Sequence, residues 1–475
     1  MLVAAQRRLR AYLPLPTSSS EDDGVYTAKR RPPLLRITQR RGACVLLFVF
    51  CACLAFFVHT GRLRTGTRRT LASIWALEKT LPQHNPNLDP PEGRDGRFVR
   101  FRNQMWGVGF NNLLGETLLL SHLAYKSRRA YVFVDFIDQA HDRFPMNAFL
   151  AGPTAGASWP NGVDAPRSVN VDFYERICPP ARRRVLDPTV VNAEIGVNFE
   201  TSAGDVLMDK WAKYLADLAE SCVELADGSH QLFDIFFFGR SQLLDLWPQM
   251  AKSPVMTHFE WSHPVRDAVA RNMRLISPSS PASSWHAHAA MDKYGVTRPA
   301  AAIGIQRLVA VHIRRGDFEE HCNNLRGWQA GFASWNLLKG LPDTFSSSGA
   351  RPEDYQRQCW PSIEQIVDRL HEVRAQHDKR EGAGHELENI FIMTNGKRAW
   401  VNELKIALHS DGWRTVSSSK DLVLDAVENS VNQAVDMEIA RRAEVFVGNG
   451  FSTLSATVTA LRLTNEWVPE NVRFL

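Results

Sequence analysis

Apolar positions follow two periods along this chain, and the second half shows them most regularly. Residues 308–313 alternate β-branched and apolar side chains and read as a buried strand, after which Arg314, Arg315, Gly316 and Asp317 arrive together. A polar loop spanning 337–354 follows. Tyr355, Cys359, Ile363, Ile366, Val367, Leu370 and Val373 then recur at helical spacing. The pattern goes on to predict a strand at 389–393, a helix at 398–409, a strand at 414–416, a helix ending near Arg442, a strand at 445–447 and a final helix from Ser452. Strands alternating with helices mean a doubly wound parallel sheet.

The first half is less regular. A folded body is predicted to begin near Arg97, with a helix over 112–128 running into a strand at 131–135. Between 137 and 300 the pattern gives mixed helices and short strands. They include a helix over 205–227, a strand or helix start at 234–239, a helix over 265–275 and a linker or surface insertion at 277–301. Residues 59–96 end in a stretch rich in Pro, Gly and Asp, which argues for a stem without regular structure.

Residues 42–58 form an uncharged run that would span about 26 Å as a helix, close to a thin bilayer. It lies too far into the chain and is too long for a typical cleaved signal, so a single membrane anchor is expected. Residues 1–41 hold nine Lys/Arg against three Asp/Glu, which accounts for more than the whole formal charge of +5. The body is therefore not basic, and a nucleic-acid partner is not implied. Six basic residues within 29–41 precede the run and Arg62, Arg64, Arg68 and Arg69 follow it, which favours a cytoplasmic N-terminus and a luminal body. Outside the run stand Cys178, Cys222, Cys322 and Cys359, an even number in an oxidising lumen, with nearest-neighbour pairing preferred over four buried thiols.

Candidate chemistry gathers at three places. Two arginines at the carboxyl end of a core strand lie where open α/β sheets hold ligands, and planar guanidinium groups fit phosphate oxygens in pairs. The competing reading pairs Arg314 and Arg315 with Asp317 and Glu319. Gly107 and Gly109 permit close approach to a ligand, while Asn111 and Asn112 stand at a helix start. Third, a strand runs through Gly448, Asn449 and Gly450 into Ser452 and Thr453, offering hydroxyls and free N–H groups at a helix N-terminus. No cysteine pair has zinc-site spacing, and the chain contains no D-x-D triplet of the kind many glycosyltransferases use to hold a metal.

Together GVGFNN (107–112), VHIRRGDF (311–318) and the segment from Asp436 to Ser455 resemble the motifs of the GDP-fucose protein O-fucosyltransferase family. The resemblance implies an α/β chain of GT-B type, with two Rossmann-like domains facing a cleft. Its expected divisions are a cytoplasmic tail at 1–41, an anchor at 42–58, a stem at 59–96, an acceptor-side domain at 97–300 and a nucleotide-sugar domain at 301–475. It implies GDP-fucose as donor, no cofactor or metal, and a protein or glycan hydroxyl as acceptor, in a type II membrane protein of the Golgi or endoplasmic reticulum. Arg314 matches the family's catalytic arginine. The expected substrate-binding set is Gly109, Phe110, Asn111, Asn112, His312, Arg315, Asp317, Asp436, Asn449, Ser452 and Thr453, with Asp436 either reading the guanine edge or capping its helix. One branch of the family carries a glutamate as candidate base where this chain has Val108. The alternatives are a nucleotide-binding relative without activity, a transferase of another sugar nucleotide, and an adhesion protein displaying Arg315-Gly316-Asp317.

Overall fold

Two parallel five-stranded sheets frame the protein, each with its first strand at the centre. The computed structural model describes residues 69–279, 304–465 and 467–475. The first sheet is built from β1 (Phe98–Phe101), β2 (Ala130–Phe133), β5 (Val169–Asn170), β6 (Arg183–Leu186) and β7 (Cys222–Leu225), in the order β5-β2-β1-β7-β6. A short antiparallel hairpin, β3 (Phe136–Ile137) and β4 (Arg143–Phe144), follows β2. The second sheet holds β8 (Ile305–His312), β9 (Asn389–Met393), β10 (Thr415–Ser418), β11 (Ala443–Gly448) and β12 (Val472–Phe474), in the order β10-β9-β8-β11-β12. In the first sheet the chain winds outward from β1 to β5 and returns inward from β6 to β7. In the second it winds outward from β8 to β10 and then outward again from β11 to β12 on the other side, so strand order reverses between β8 and β11. Such reversal points open a crevice at the carboxyl ends of the strands, because successive crossovers leave in opposite directions.

Burial explains which strands are central. Leu308, Val309, Ala310 and Val311 of β8 are all 0% exposed, as befits a strand covered on both faces. The helices that matter for the site are α1 (Leu71–Lys79), α2 (Phe110–Lys126), α3 (Gly204–Asp217), α4 (His263–Ile276), α5 (Phe318–Gly327), α6 (Pro352–Cys359), α7 (Ile363–Glu381), α8 (Arg398–Ser410), α9 (Asn432–Arg442) and α10 (Thr453–Thr464). α2 packs against α10, and α4 crosses to pack on α9 of the second half.

Several expectations are corrected. Residues 69–96 already belong to the fold, ahead of the expected start at Arg97: α1 opens with a Thr70 capping box and buries Ile74 and Glu78. Gln83 donates to the carbonyls of Gly156 and Ser168, and Glu92 pairs with Arg167. The helix expected over 205–227 ends at Asp217, because Cys222, Val223 and Leu225 belong to a strand whose spacing imitates a further helical turn. The single helix expected from Tyr355 onward is two. Pro361 has no N–H to continue the ladder, and Ser362 caps a new start. α5 and β12 were not legible as elements. Both nearest-neighbour disulfides are present, Cys178–Cys222 and Cys322–Cys359. The expected anchor, the tail and most of the expected linker lie outside the described residues. Among the described residues no helix is long and apolar enough to cross a membrane.

Candidate active site

The reversal point of the second sheet brings two of the three sequence motifs side by side. Val311 of β8 pairs with Val447 of β11, so His312 and the arginines leave the sheet beside the Gly448–Ser452 turn. His312 is buried, its Nδ1 lies 2.9 Å from Ser455 Oγ, and burial, helped by the Arg314 charge, pushes its pKa down to about 3. The imidazole is therefore neutral.

The adjacent arginines have opposite surroundings. Arg314 is half-buried: one terminal nitrogen pairs with Asp317 at 3.0 Å, its guanidinium lies 5.5 Å from the Phe318 ring, and its buried Nε has no partner. Arg315 is clamped between the Trp360 and Trp400 rings, 4.3 Å from each centroid, and donates to the Pro361 carbonyl. Burial lowers its pKa to about 10. Arg315 is thus held within the fold, although its buried Nε also lacks a partner, while Arg314 is the arginine that reaches solvent. The expected ion pairing holds for Arg314 with Asp317 and leaves the neighbouring Nε free.

Asp317 also accepts from Asn395 Nδ2 at 3.1 Å, while Asn395 Oδ1 takes the Arg315 N–H at 2.8 Å. Burial raises the Asp317 pKa, but Arg314 outweighs it and holds the carboxyl below its usual value. Gly316 is required between them: its φ is +65° and an added Cβ would sit 3.0 Å from Asn395 Nδ2.

The turn after β11 is fixed from behind. Asn449 is fully buried, with Nδ2 donating to the Cys359 carbonyl at 3.0 Å and Oδ1 accepting the Phe451 N–H at 3.1 Å, so its side chain shapes the turn. Gly450 lies against Phe332, where a Cβ would come within about 2.3 Å of the ring. Asn336 ties the same turn down through the carbonyls of Gly450 and Ser452. The turn leads into the start of α10, where Thr453 is the half-exposed residue. Ser452 makes no side-chain cap, and the N–H groups of Thr453, Leu454 and Ser455 have no acceptor among the described residues. Free N–H groups at the positive end of a helix suit a phosphate.

Asp436 sits in the middle of α9, which rules out the capping role. Its Oδ2 accepts from Ser419 at 2.6 Å and its buried Oδ1 has no partner; burial raises its pKa to about 7 against the opposing Ser419 bond. In the first half, Gly109 is the N-cap residue of α2, and the buried Oδ1 atoms of Asn111 and Asn112 lack partners. Phe110 stacks on Phe149 at 4.5 Å within an aromatic cluster, so it builds the wall. A cavity of about 410 Å³ joins the halves. Val108, Gly109, Phe110 and Asp138 line one side, and Ser430, Asn432 and Gln433 line the other, one turn before Asp436. Buried polar atoms are nearly always hydrogen-bonded. Unpartnered buried atoms also occur elsewhere among the described residues, at Arg315 Nε, Trp413 Nε1 and Arg441 Nη1 for example; those of Asn111, Asn112, Arg314 and Asp436 are set apart by lying on the motifs that frame this crevice.

Sequence reading missed Asn395 and Ser419, and took Ser455 only as the end of a motif, without a role. All three are polar residues just past, or directly opposite, the carboxyl end of an apolar strand, and that position was their available signal. Among the described residues no group of His, Cys, Asp or Glu is arranged to hold a metal ion.

The profile of the GDP-fucose protein O-fucosyltransferase family matches residues 185–465, more than half of the chain. The chain belongs to that family. It is a fucosyltransferase dependent on GDP-fucose, acting on a protein acceptor. No curated protein sequence matches the chain. Among solved structures it is similar to POFUT1 in complex with GDP-fucose, at 16% identity and a TM-score of 0.48, covering 82% of this chain and 99% of that one. A second crystal form of that complex gives 16% and 0.47, covering 80% and 98%. A mutant of Arabidopsis thaliana FUT1 in complex with GDP gives 12% and 0.33, covering 83% and 74%.

Proposed function

We propose that this fucosyltransferase holds the GDP diphosphate between Arg314 and the N-terminus of α10, with the two halves acting as the facing domains of a GT-B enzyme. The observation that carries this reading is the pairing of β8 with β11 at the reversal point, which sets a half-free guanidinium beside unused helix N–H groups. As the glycosidic bond lengthens, negative charge collects on the leaving diphosphate. Donors fixed in advance at that place stabilise it without reorganising. Arg314 supplies charge and a planar pair of donors. α10 supplies N–H groups and its dipole, and no metal is then required. Asp436 accepts from the guanine edge through its unpartnered oxygen, and Asn111 and Asn112 face the sugar side.

Where one branch of the family has a glutamate this chain has Val108, so the base must stand elsewhere. Asp138 lines the same cavity: its Oδ1 is taken by the N–H groups of Ala140 and Asp142, leaving Oδ2 free to accept the acceptor proton. Residues 97–300 then form the acceptor side and 301–475 the nucleotide side, with α4 crossing between them. The uncharged run at 42–58 anchors the enzyme in type II orientation, with its body in the lumen of the Golgi or endoplasmic reticulum; the two disulfides suit such a compartment.

A donor panel on the full chain tests the reading. GDP and GDP-fucose should bind more tightly than UDP and its sugars, and transfer should persist in excess EDTA. Loss of transfer restored by Mn²⁺ would overturn the metal-free assignment, and preference for UDP would overturn the donor. Protease added to intact microsomes should spare the body, and its digestion without detergent would refute the topology.

A further inference from the structure

One hydroxyl connects the two motifs at the reversal point. Ser455, in the first turn of α10, is 0% exposed. Its Oγ accepts the Asn449 N–H at 3.0 Å and lies 2.9 Å from His312 Nδ1. It is pressed against the turn, since a Cβ on Gly448 would come within 3.0 Å of it. A hydroxyl offers one hydrogen and two lone pairs. Asn449 uses one lone pair, and the only acceptor its hydrogen meets among the described residues is His312 Nδ1.

Two arrangements satisfy the 2.9 Å contact. If Nδ1–H donated to Oγ, the serine hydrogen would be buried without an acceptor, which carries a desolvation cost. If Oγ–H donates to Nδ1, all three groups are satisfied. In the second arrangement a neutral ring carries its proton on Nε2. Among the described residues Nε2 has no partner. A lone pair there would repel phosphate oxygens, while an N–H would bind them.

We propose that Ser455 is a positioning residue that fixes the tautomer of His312, so that Nε2–H, not a lone pair, is turned to the donor diphosphate. This rests on the proposed diphosphate site for its consequence, but the tautomer itself can be read without any donor. Backbone order thereby reaches the reacting end of the substrate in three steps: Asn449 N–H holds the hydroxyl, the hydroxyl sets the imidazole, and the imidazole holds the phosphate. It also gives the buried serine a task that packing alone would not require.

The test is nuclear magnetic resonance of the full chain labelled with ¹⁵N-histidine, with the His312 signal identified by its loss in His312→Gln. The free protein should show Nδ1 unprotonated and Nε2 protonated, and Ser455→Ala should erase that preference. Turnover of Ser455→Ala should fall about tenfold, the equivalent of one hydrogen bond, with a smaller change in donor KM. In the double variant Ser455→Ala/His312→Gln the serine change should add nothing to the loss already caused by His312→Gln. A protonated Nδ1 in the unmodified protein would overturn the proposal even if transfer is normal, and so would full additivity in the double variant. A protonated Nε2 together with undiminished turnover in His312→Gln would instead refute the diphosphate site on which the consequence rests.

Discussion

Two neighbouring arginines should give opposite phenotypes when each is replaced by lysine. For Arg314 the stabilising contacts are an Asp317 pair on a partly exposed side chain and a 5.5 Å approach to Phe318. A surface ion pair contributes up to about 1 kcal/mol and an exposed cation–π contact about 0.5 to 1, and lysine retains part of each. Arg314→Lys should therefore shift unfolding by under about 1 kcal/mol, while turnover falls by about a hundred to a thousandfold, the cost of losing one preorganised donor. GDP affinity should fall less than turnover, because the α10 N-terminus still holds the ground-state diphosphate. For Arg315 the balance reverses. Its 4.3 Å stacking on two tryptophans and its bond to the Pro361 carbonyl are buried, and a desolvated cation–π contact contributes about 2 kcal/mol. Arg315→Lys should cost about 2 to 3 kcal/mol in denaturant unfolding and leave turnover of the folded fraction near normal. The assay combines denaturant midpoints, GDP titration calorimetry and GDP release from GDP-fucose with and without acceptor. Near-normal turnover in a folded Arg314→Lys protein, or lost turnover with undiminished stability in Arg315→Lys, would refute the division of roles.

Asp436, with its pKa raised to about 7, must be ionised to accept from guanine, so GDP affinity should rise about tenfold per pH unit up to about pH 7 and then level off. The same raised pKa makes its contribution to folding fall as pH rises from its ordinary value toward 7. Asp436→Asn should flatten the affinity profile, and a flat profile in the unmodified protein would remove the assignment. Cys322→Ser opens a crosslink spanning 37 residues, which by chain entropy costs about 4 kcal/mol, measured as a drop in unfolding free energy; an unchanged midpoint would contradict this. Asp138→Asn keeps the Oδ1 turn bonds and removes the proton acceptor, so transfer to acceptor should fall by about a hundredfold or more while GDP affinity holds. Equal transfer would exclude Asp138 as base.

The second sheet was legible because its central strands are buried on both faces and read as unbroken apolar runs; 389–393 and 445–447 fall on strands, and so does 308–313 but for Ile313, just past the end of β8. The first sheet was harder. Val169–Asn170 is two residues long, and Cys222–Leu225 continues the spacing of the helix before it, so neither leaves a periodic trace. At the site, Arg314 and the α10 N-terminus were visible from their place after a strand. Arg315 and Asn449 were visible for the same reason, yet their side chains turn into tryptophans and a cysteine carbonyl, partners distant in sequence. Residue type and strand position locate a crevice; which side chains turn into it depends on packing from elsewhere in the chain.

Residues 69–96 have a practical consequence for any attempt to produce the enzyme in soluble form. A secreted version cut at Arg97 would strip α1 from the short helix Met146–Phe149 on which it packs, leave the Gly156 and Ser168 carbonyls without Gln83, and leave Arg167 without Glu92. It would resemble a catalytic domain in the alignment of its motifs and behave as a damaged protein in the flask. Fusion tags and cleavage sites therefore belong ahead of Arg69, where removing sequence uncovers none of these partners.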